Sequence, residues 1–266
     1  TVWYGSAAAS EMHDMDWLLE HLPDESDIEI KCLTNTHTIL VIAGPNSRQV
    51  LELAAPRTDW SAENFKWLSC EKVHIGHVEA LAMAVSFSGE LAWELHIANE
   101  QLELAFDILW KAGEHFNMKP FGLNATESMR LEKGYRHWKA DLITEFNPYE
   151  SELNRFVNEE KEFIGKHALM KMKANGNRRN FISMTIDNKK TPAHPGDSIL
   201  KNGTVVGTIT SAAWGYRLDE NIAMGFIDTD IQTDDDDLEI LHAGGRSKVT
   251  IAELCRYDKN NSLVRN

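Results

Sequence analysis

The sequence of 266 residues has little cysteine and no long apolar segment. Its three cysteines, Cys32, Cys70 and Cys255, are far apart and form neither a CxxC pair nor a disulfide framework, which suits a reducing compartment. The longest apolar stretch, residues 80–85, has the length of a strand and falls short of the roughly 18 residues that a membrane span needs. We therefore expect a soluble protein of the cytoplasm or, in a eukaryote, of the mitochondrial matrix.

Motifs that bind nucleotide phosphates or metals are also missing. Neither GxGxxG nor GxxxxGK[ST] occurs, so the sequence predicts no dinucleotide or nucleotide phosphate site. His74 and His77 lie three residues apart but have no third ligand near them in the sequence, which favours scattered histidines over a metal site. No base partner is evident for any cysteine, so a nucleophilic cysteine has no support.

Positive charge is scarce, since 27 lysines and arginines face 41 acidic residues and give a net charge of -14. Such a balance repels nucleic acids and anionic membranes. It does not exclude a small anion, which a local basic pocket can still bind. A polyglutamylated cofactor therefore stays possible on charge alone.

The first part of the chain mixes predicted helices and strands. Apolar residues at helical spacing predict a helix from about Met12 to Pro23, others over 47–53 and 101–116, and a short one over 64–68. Strands are predicted over 1–4, over 27–31 as a half-buried strand and over 38–42 as a buried one. Residues 76–86 and 92–97 predict a β-hairpin. Asn124 is expected to cap a helix over 125–133, with Glu127 at capping-box spacing.

The character of the sequence changes near residue 178. Six short strands at roughly ten-residue spacing predict a small antiparallel barrel or sandwich. They cover residues 181–186, 198–200, 205–210, 222–227, 238–240 and 248–251. Residues 175–177 form a plausible linker, which divides the chain into domains 1–177 and 178–266. The acidic run 234–237 is interpreted as a solvated turn.

Two segments carry candidate binding residues. In the first, SFSGELAWEL over 86–95, Glu94 lies inside an apolar strand and shares a face with Ala92 and His96. Glu94 is either a solvent-facing strand residue or a carboxylate that faces a pocket. A pocket carboxylate would suit the paired N–H and NH2 groups at the edge of a flat heterocycle such as a pterin.

The second segment follows the helix that ends at Gly134. It places Tyr135, His137 and a tryptophan beside cations within five residues. One interpretation is an ordinary helix C-terminus followed by an amphipathic loop. The other is a pocket wall whose rings stack on a heterocycle while its cations hold a carboxylate tail. The residues alone leave both open.

The order of several segments resembles the aminomethyltransferase family. That family comprises the T-protein of the glycine-cleavage system and the C-terminal folate-binding half of dimethylglycine and sarcosine dehydrogenases. The similar segments are residues 42–48, 86–95, 122–134, 135–142, 163–169 and 193–227, and the resemblance extends over essentially the whole chain. The residues at 135–142 resemble the dehydrogenase branch more than the T-protein branch.

The resemblance implies a fold, a cofactor and a set of site residues. The fold would be α+β, a partial three-lobed folate-binding arrangement followed by a small C-terminal antiparallel β-barrel. Tetrahydrofolate would occupy the central opening. By the resemblance, Glu94 grips the pterin ring, Arg130 lies in an arginine-bearing helix, and Tyr135 with His137 lies in the folate-facing loop. Phe87 replaces a tyrosine common before the Gly-Glu turn, and Thr126 replaces the first of two family arginines.

The resemblance also implies that the chain lacks a catalytic residue of its own. The family's catalytic aspartate precedes residue 1, and a chain opening on an apparent strand without a methionine suggests a fragment. We expect methylene transfer to tetrahydrofolate from a methylamine-type substrate or its iminium intermediate, with FAD only in a missing N-terminal domain. The alternatives are a free-standing aminomethyltransferase or demethylase of the same fold, or a non-catalytic folate-binding scaffold.

Overall fold

An antiparallel sheet of four strands forms the centre of the first lobe. The computed structural model describes residues 1–23, 27–189, 191–231 and 237–265. The strands are β1 His37–Ala43, β2 Cys70–Ile75, β3 Val78–Met83 and β4 Ala92–Ala98, in the order β1-β4-β3-β2. Helices α1 Glu11–Glu20, α2 Ser47–Ala54, α3 Leu102–Gly113 and α4 Leu123–Lys133 belong to the same lobe. Helix α5, Lys166–Asn175, leads to the second lobe.

Strand alternation gives this sheet one buried face and one open face. The buried face packs against α2 and α3 and includes Trp93, Leu95 and Ile97. Trp60 and Phe65 stack at a centroid distance of 5.1 Å beside Trp93 and complete this core. The opposite face carries the alternate residues of β4, of which Glu94, His96 and Ala98 are only partly buried.

The second lobe is a closed barrel of six antiparallel strands. Its strands are β5 Arg179–Ile186, β6 Ser198–Lys201, β7 Thr204–Gly215, β8 Glu220–Asp228, β9 Leu238–His242 and β10 Gly245–Ala252. They close in the order β10-β5-β8-β7-β6-β9. Inward-facing aliphatic residues fill the barrel, while Phe181, Met224 and Phe226 form a second cluster with Leu131 of α4. Helix α4 therefore joins the two lobes.

The predicted α+β fold, the hairpin and the C-terminal barrel are confirmed. Strands β3 and β4 pair antiparallel with Ala80 opposite Ile97, and the barrel has the six strands that the spacing predicted. The predicted domain boundary between residues 177 and 178 precedes the first barrel strand and stays a prediction. Part of the acidic run, residues 234–236, lies outside the described residues.

Several local predictions are wrong. Residues 1–4 and 27–31 form no strand, and 64–68 form turns, because none of these segments finds a partner strand or a helical continuation. The predicted buried strand is β1, an edge strand on which Ile39 is 48% and Val41 47% exposed. Asn124 is not the cap of α4 either: the helix begins at Leu123 after an extended Gly122.

Candidate functional site

Three of the predicted site residues lie together as an aromatic wall. The ring of Phe87 stacks on that of Tyr135 with centroids 6.3 Å apart and planes within 11°. The ring of His137 lies 6.5 Å from Phe87 at a tilt of 51°. Phe87 is 40% exposed, so part of its ring is open to a ligand. Tyr135 is more buried, and this burial raises the pKa of its hydroxyl. The contact joins two segments that are some 50 residues apart in the chain.

The end of α4 directs Tyr135 towards this wall. Gly134 adopts a left-handed φ of +77°, and the amide of Tyr135 donates to the carbonyl of Arg130 at 2.9 Å. A Cβ on Gly134 would lie 2.5 Å from the carbonyl oxygen of Leu254. Glycine is therefore required both by the backbone conformation and by the close approach of the neighbouring chain.

Asp141 fixes the loop that follows. Its side chain is fully buried and accepts hydrogen bonds from the His137 amide at 2.7 Å and from Arg130 Nη1 at 2.7 Å. The hydroxyls of Thr210 and Ser211, both on β7, donate to its other oxygen at 2.5 and 2.7 Å. A buried carboxylate with four donors is well compensated, so the loop has one defined conformation.

Arg130 supports the loop from beneath. All five of its N–H donors have partners inside the chain: Glu127 twice, the Tyr135 carbonyl, Asp141 and Ser211. The residue is 1% exposed. A direct contact between Arg130 and a cofactor, which stays a prediction, would require one of these bonds to be given up.

Glu94 lies on the open face of the first sheet, as its alternation with Ala92 and His96 predicted. Its side chain is 36% exposed, and Oε2 lies 3.5 Å from Nε2 of His96. Apolar residues oppose it on both neighbouring strands, Val41 on β1 and Met83 on β3. The carboxylate is thus neither free in bulk water nor fully buried. Within the described residues, its nearest titratable neighbour by ion-pair distance is His96, and the ring contacts of the aromatic wall do not include it.

A second buried carboxylate joins the lobes at the end of α4. Glu132 is fully buried and is paired with Arg217, whose backbone amide also donates to it at 2.7 Å. Arg217 further donates to Glu90 at 2.5 Å and to the carbonyl of Met129 at 2.6 Å. Burial opposes ionisation of this guanidinium, but Glu132 and Glu90 raise its pKa overall.

A third buried pair lies beside the second. The ammonium of Lys133 donates to the backbone carbonyl of Asp258 at 2.6 Å and to its carboxylate at 3.0 Å. Burial alone would raise the pKa of Asp258, but hydrogen bonds from Ser262, Lys133 and the amide of Leu263 lower the pKa to about 2.

Sequence reasoning missed Asp141, Glu132 and Arg217 as parts of the site. A charged residue inside the aromatic segment 135–142 was a usable signal for Asp141. Arg217 has no local signal, because its partners lie up to 129 residues away in the chain. Among the described residues, no group of three His, Cys, Asp or Glu side chains is placed to hold a metal ion. No helix in the described ranges has the length and apolar character of a membrane span.

The α+β lobe followed by a closed six-stranded barrel matches the fold of a solved aminomethyltransferase. The glycine cleavage system aminomethyltransferase T from Bartonella henselae has this fold, with a TM-score of 0.78 and 18% identity over 95% of this chain and 67% of that one. Residues 1–161 match the GCVT N-terminal domain, and residues 179–258 match the glycine cleavage T-protein C-terminal barrel domain. The chain therefore belongs to the glycine cleavage T-protein family.

Two curated relatives represent the two branches of this family. Human mitochondrial dimethylglycine dehydrogenase is 32% identical over 84% of this chain, which corresponds to 26% of the human protein. An aminomethyltransferase of Halothermothrix orenii is 28% identical over 86% of this chain and 62% of its own length. The chain thus spans about a quarter of the first relative and under two thirds of the second.

Proposed function

We propose that this chain binds tetrahydrofolate and supports the transfer of a one-carbon unit to it. The observation that carries the proposal is the stacking of the exposed Phe87 ring on the partly buried Tyr135 ring in a member of the glycine cleavage T-protein family. A flat pterin ring can stack on such aromatic side chains. Glu94, on the apolar open face of the sheet, would accept two hydrogen bonds from the N–H edge of the ring.

Each predicted residue has a separate task in this proposal. Phe87, Tyr135 and His137 would line the ring-binding wall, and Arg130 would hold the loop that carries two of them. Tetrahydrofolate supplies the nucleophilic nitrogens that accept the carbon. The chain's own contribution is to bind and orient, because a fixed geometry removes much of the entropic barrier to transfer.

The finer proposal is that the chain is the folate-binding part of a dimethylglycine or sarcosine dehydrogenase-like flavoenzyme. The 32% identity to human dimethylglycine dehydrogenase supports it. A methylamine-type substrate or its iminium intermediate would then supply the carbon, FAD would belong to another domain, and the family aspartate would precede residue 1. Such a protein would act in the cytoplasm or, in a eukaryote, in the mitochondrial matrix. A GxGxxG-bearing domain in the upstream gene sequence would support this branch, and its absence would favour a free-standing aminomethyltransferase.

Thermal unfolding with tetrahydrofolate tests the binding step. Ligand at 100 times its dissociation constant should stabilise the chain by about 2.7 kcal/mol. Phe87→Ala should abolish most of this shift, whereas Phe156→Ala, which truncates a 70% exposed phenylalanine elsewhere, should preserve it. If neither this chain nor a version extended by any upstream coding sequence shows a shift, the proposal fails, and the non-catalytic scaffold alternative is favoured. An equal shift in both variants would exclude the aromatic wall as the binding site.

A further inference from the structure

We propose that the C-terminal barrel is the positioning element of the folate site and holds the two segments of its aromatic wall in register through Asp141 and Arg217. The inference deepens the proposed function and depends on it for the identity of the ligand. Strand β7 holds the loop of Tyr135 and His137 through hydrogen bonds to Asp141, which we call the first grip. Arg217, in the turn after β7, holds the turn of Phe87, which we call the second grip.

The first grip depends on a β-bulge in β7. Ile209 pairs with Gly225 and Ser211 pairs with Met224, so Thr210 is an extra residue in the register. Neighbouring strand residues normally point to opposite faces. Here the hydroxyls of both Thr210 and Ser211 reach the same oxygen of Asp141, at 2.5 and 2.7 Å. The bulge therefore aims two adjacent donors at one carboxylate.

Asp141 passes this constraint to the ligand-facing loop. Its second oxygen accepts from the backbone amide of His137 at 2.7 Å, in the same residue whose ring is a predicted ligand contact. Ser211 also accepts a hydrogen bond from Arg130 Nη2 at 2.7 Å. Barrel strand, helix α4 and loop thus share one buried network, which leaves the loop little freedom to shift.

Arg217 forms the second grip, on the turn of Phe87. It lies in the turn that follows β7, and Nη2 donates to the carbonyl of Ser88, the residue after Phe87, at 3.2 Å. The same guanidinium donates to Glu90, which lies in the turn after Phe87, and to the carbonyl of Met129 in α4. Its carbon lies 3.7 Å from the ring centroid of Tyr257. One side chain therefore fixes the Phe87 turn relative to the helix that delivers Tyr135.

The two grips together set the spacing of the site. Phe87 and Tyr135 come from different segments, and each segment is bonded to the β7 strand or its turn. A loss of either grip should make one of the two segments, the Tyr135–His137 loop or the Phe87 turn, more mobile without unfolding the barrel. Asp141 and Arg217 are positioning residues in this scheme, since neither is required to touch the ligand.

Ser211→Ala tests the first grip, with Ser247→Ala as its matched control. Ser247 is also a buried barrel serine, but its hydroxyl bonds His242 and Asn188. In Ser211→Ala, hydrogen exchange at the His137 amide should accelerate roughly tenfold relative to barrel-core amides such as Met184. Tetrahydrofolate affinity should fall by roughly tenfold as well, the size of effect seen in metal sites when a group that orients a metal-binding side chain is removed. Ser247→Ala should change neither ratio.

Arg217→Lys tests the second grip while it keeps the charge. Lysine cannot reproduce four bonds in a fixed fork, so the Gly89 amide should exchange faster and tetrahydrofolate should bind more weakly. Unchanged exchange ratios in both variants would overturn the inference, even if the chain binds tetrahydrofolate. Failure of the unmodified chain to bind tetrahydrofolate would overturn the proposed function, and the exchange ratios would still decide whether the barrel positions the loop.

Discussion

Arg217 and Glu132 form an ion pair that closes the junction between the two lobes. The carboxylate of Glu132 is fully buried, and the guanidinium of Arg217 is 19% exposed. The amides of Arg217 and Leu218 donate to the same carboxylate at 2.7 and 3.2 Å. The pair therefore connects the end of α4 to the turn between two barrel strands.

Arg217→Met should destabilise the protein strongly. The substitution leaves the carboxylate of Glu132 buried without its counter-charge, which costs about 3–5 kcal/mol in comparable cases. Urea unfolding at neutral pH measures the loss. Arg246→Met is the control, since Arg246 is 53% exposed and lies 3.4 Å from Glu239. Its loss should stay below about 1 kcal/mol, and equal losses in the two variants would contradict the assigned role of the buried pair.

Gly134→Ala should cost more than Gly165→Ala, although both glycines have positive φ angles. The angles are +77° and +89°, so an alanine pays a similar backbone strain of about 1–2 kcal/mol at either position. Only at Gly134 does the added Cβ meet a backbone atom, the Leu254 carbonyl at 2.5 Å, whereas Gly165 has open space. We expect an additional loss of about 1–3 kcal/mol for Gly134→Ala from overpacking. Thermal unfolding of both variants checks this, and equal melting temperatures would show that the two chain segments separate easily.

Asp258→Asn should remove a pH-dependent contribution to stability. The folded-state pKa of about 2 is depressed, so the stabilisation is complete above the unfolded pKa of about 4 and is lost as the pH falls towards 2. At pH 7 the variant should be less stable by about 2 kcal/mol, and this difference should shrink between about pH 4 and pH 2. Urea unfolding across that range measures it. Asp219→Asn is the control, because Asp219 is 75% exposed beside Lys189, and its loss of stability at pH 7 should stay below about 1 kcal/mol.

Glu94→Gln should weaken tetrahydrofolate binding while it leaves stability nearly unchanged. The amide keeps the size of the side chain but replaces one acceptor with a donor, which cannot accept both bonds from the ring edge. We expect at least a tenfold loss of affinity, about 1.4 kcal/mol, in a titration calorimeter. Glu79→Gln is the control, because Glu79 lies on the same sheet and is 63% exposed beside Lys72. Equal affinities in all three proteins would exclude Glu94 from the binding site.

Local pattern predicted those elements whose partners are near in the chain. The hairpin of β3 and β4 and the barrel strands follow from alternation and turn residues, which act over a few residues. The segments 1–4 and 27–31 have similar strand composition, yet they form no strand. A strand needs a partner to satisfy its backbone groups, and composition alone does not supply one.

The features of the site likewise divide into those that local sequence determines and those that tertiary packing determines. The sequence itself determined the aromatic residues of 135–138, the acid at position 94 and the glycine that ends α4, because each depends on residue type and short spacing. Only the tertiary structure decided that Phe87 faces Tyr135, that Arg130 has no donor to spare and that Asp141 is held by the barrel. Those contacts join residues up to 81 positions apart, and their geometry is set by the closure of the barrel and its bulge. Chain distance carries no information about such pairs, since packing between lobes brings them together.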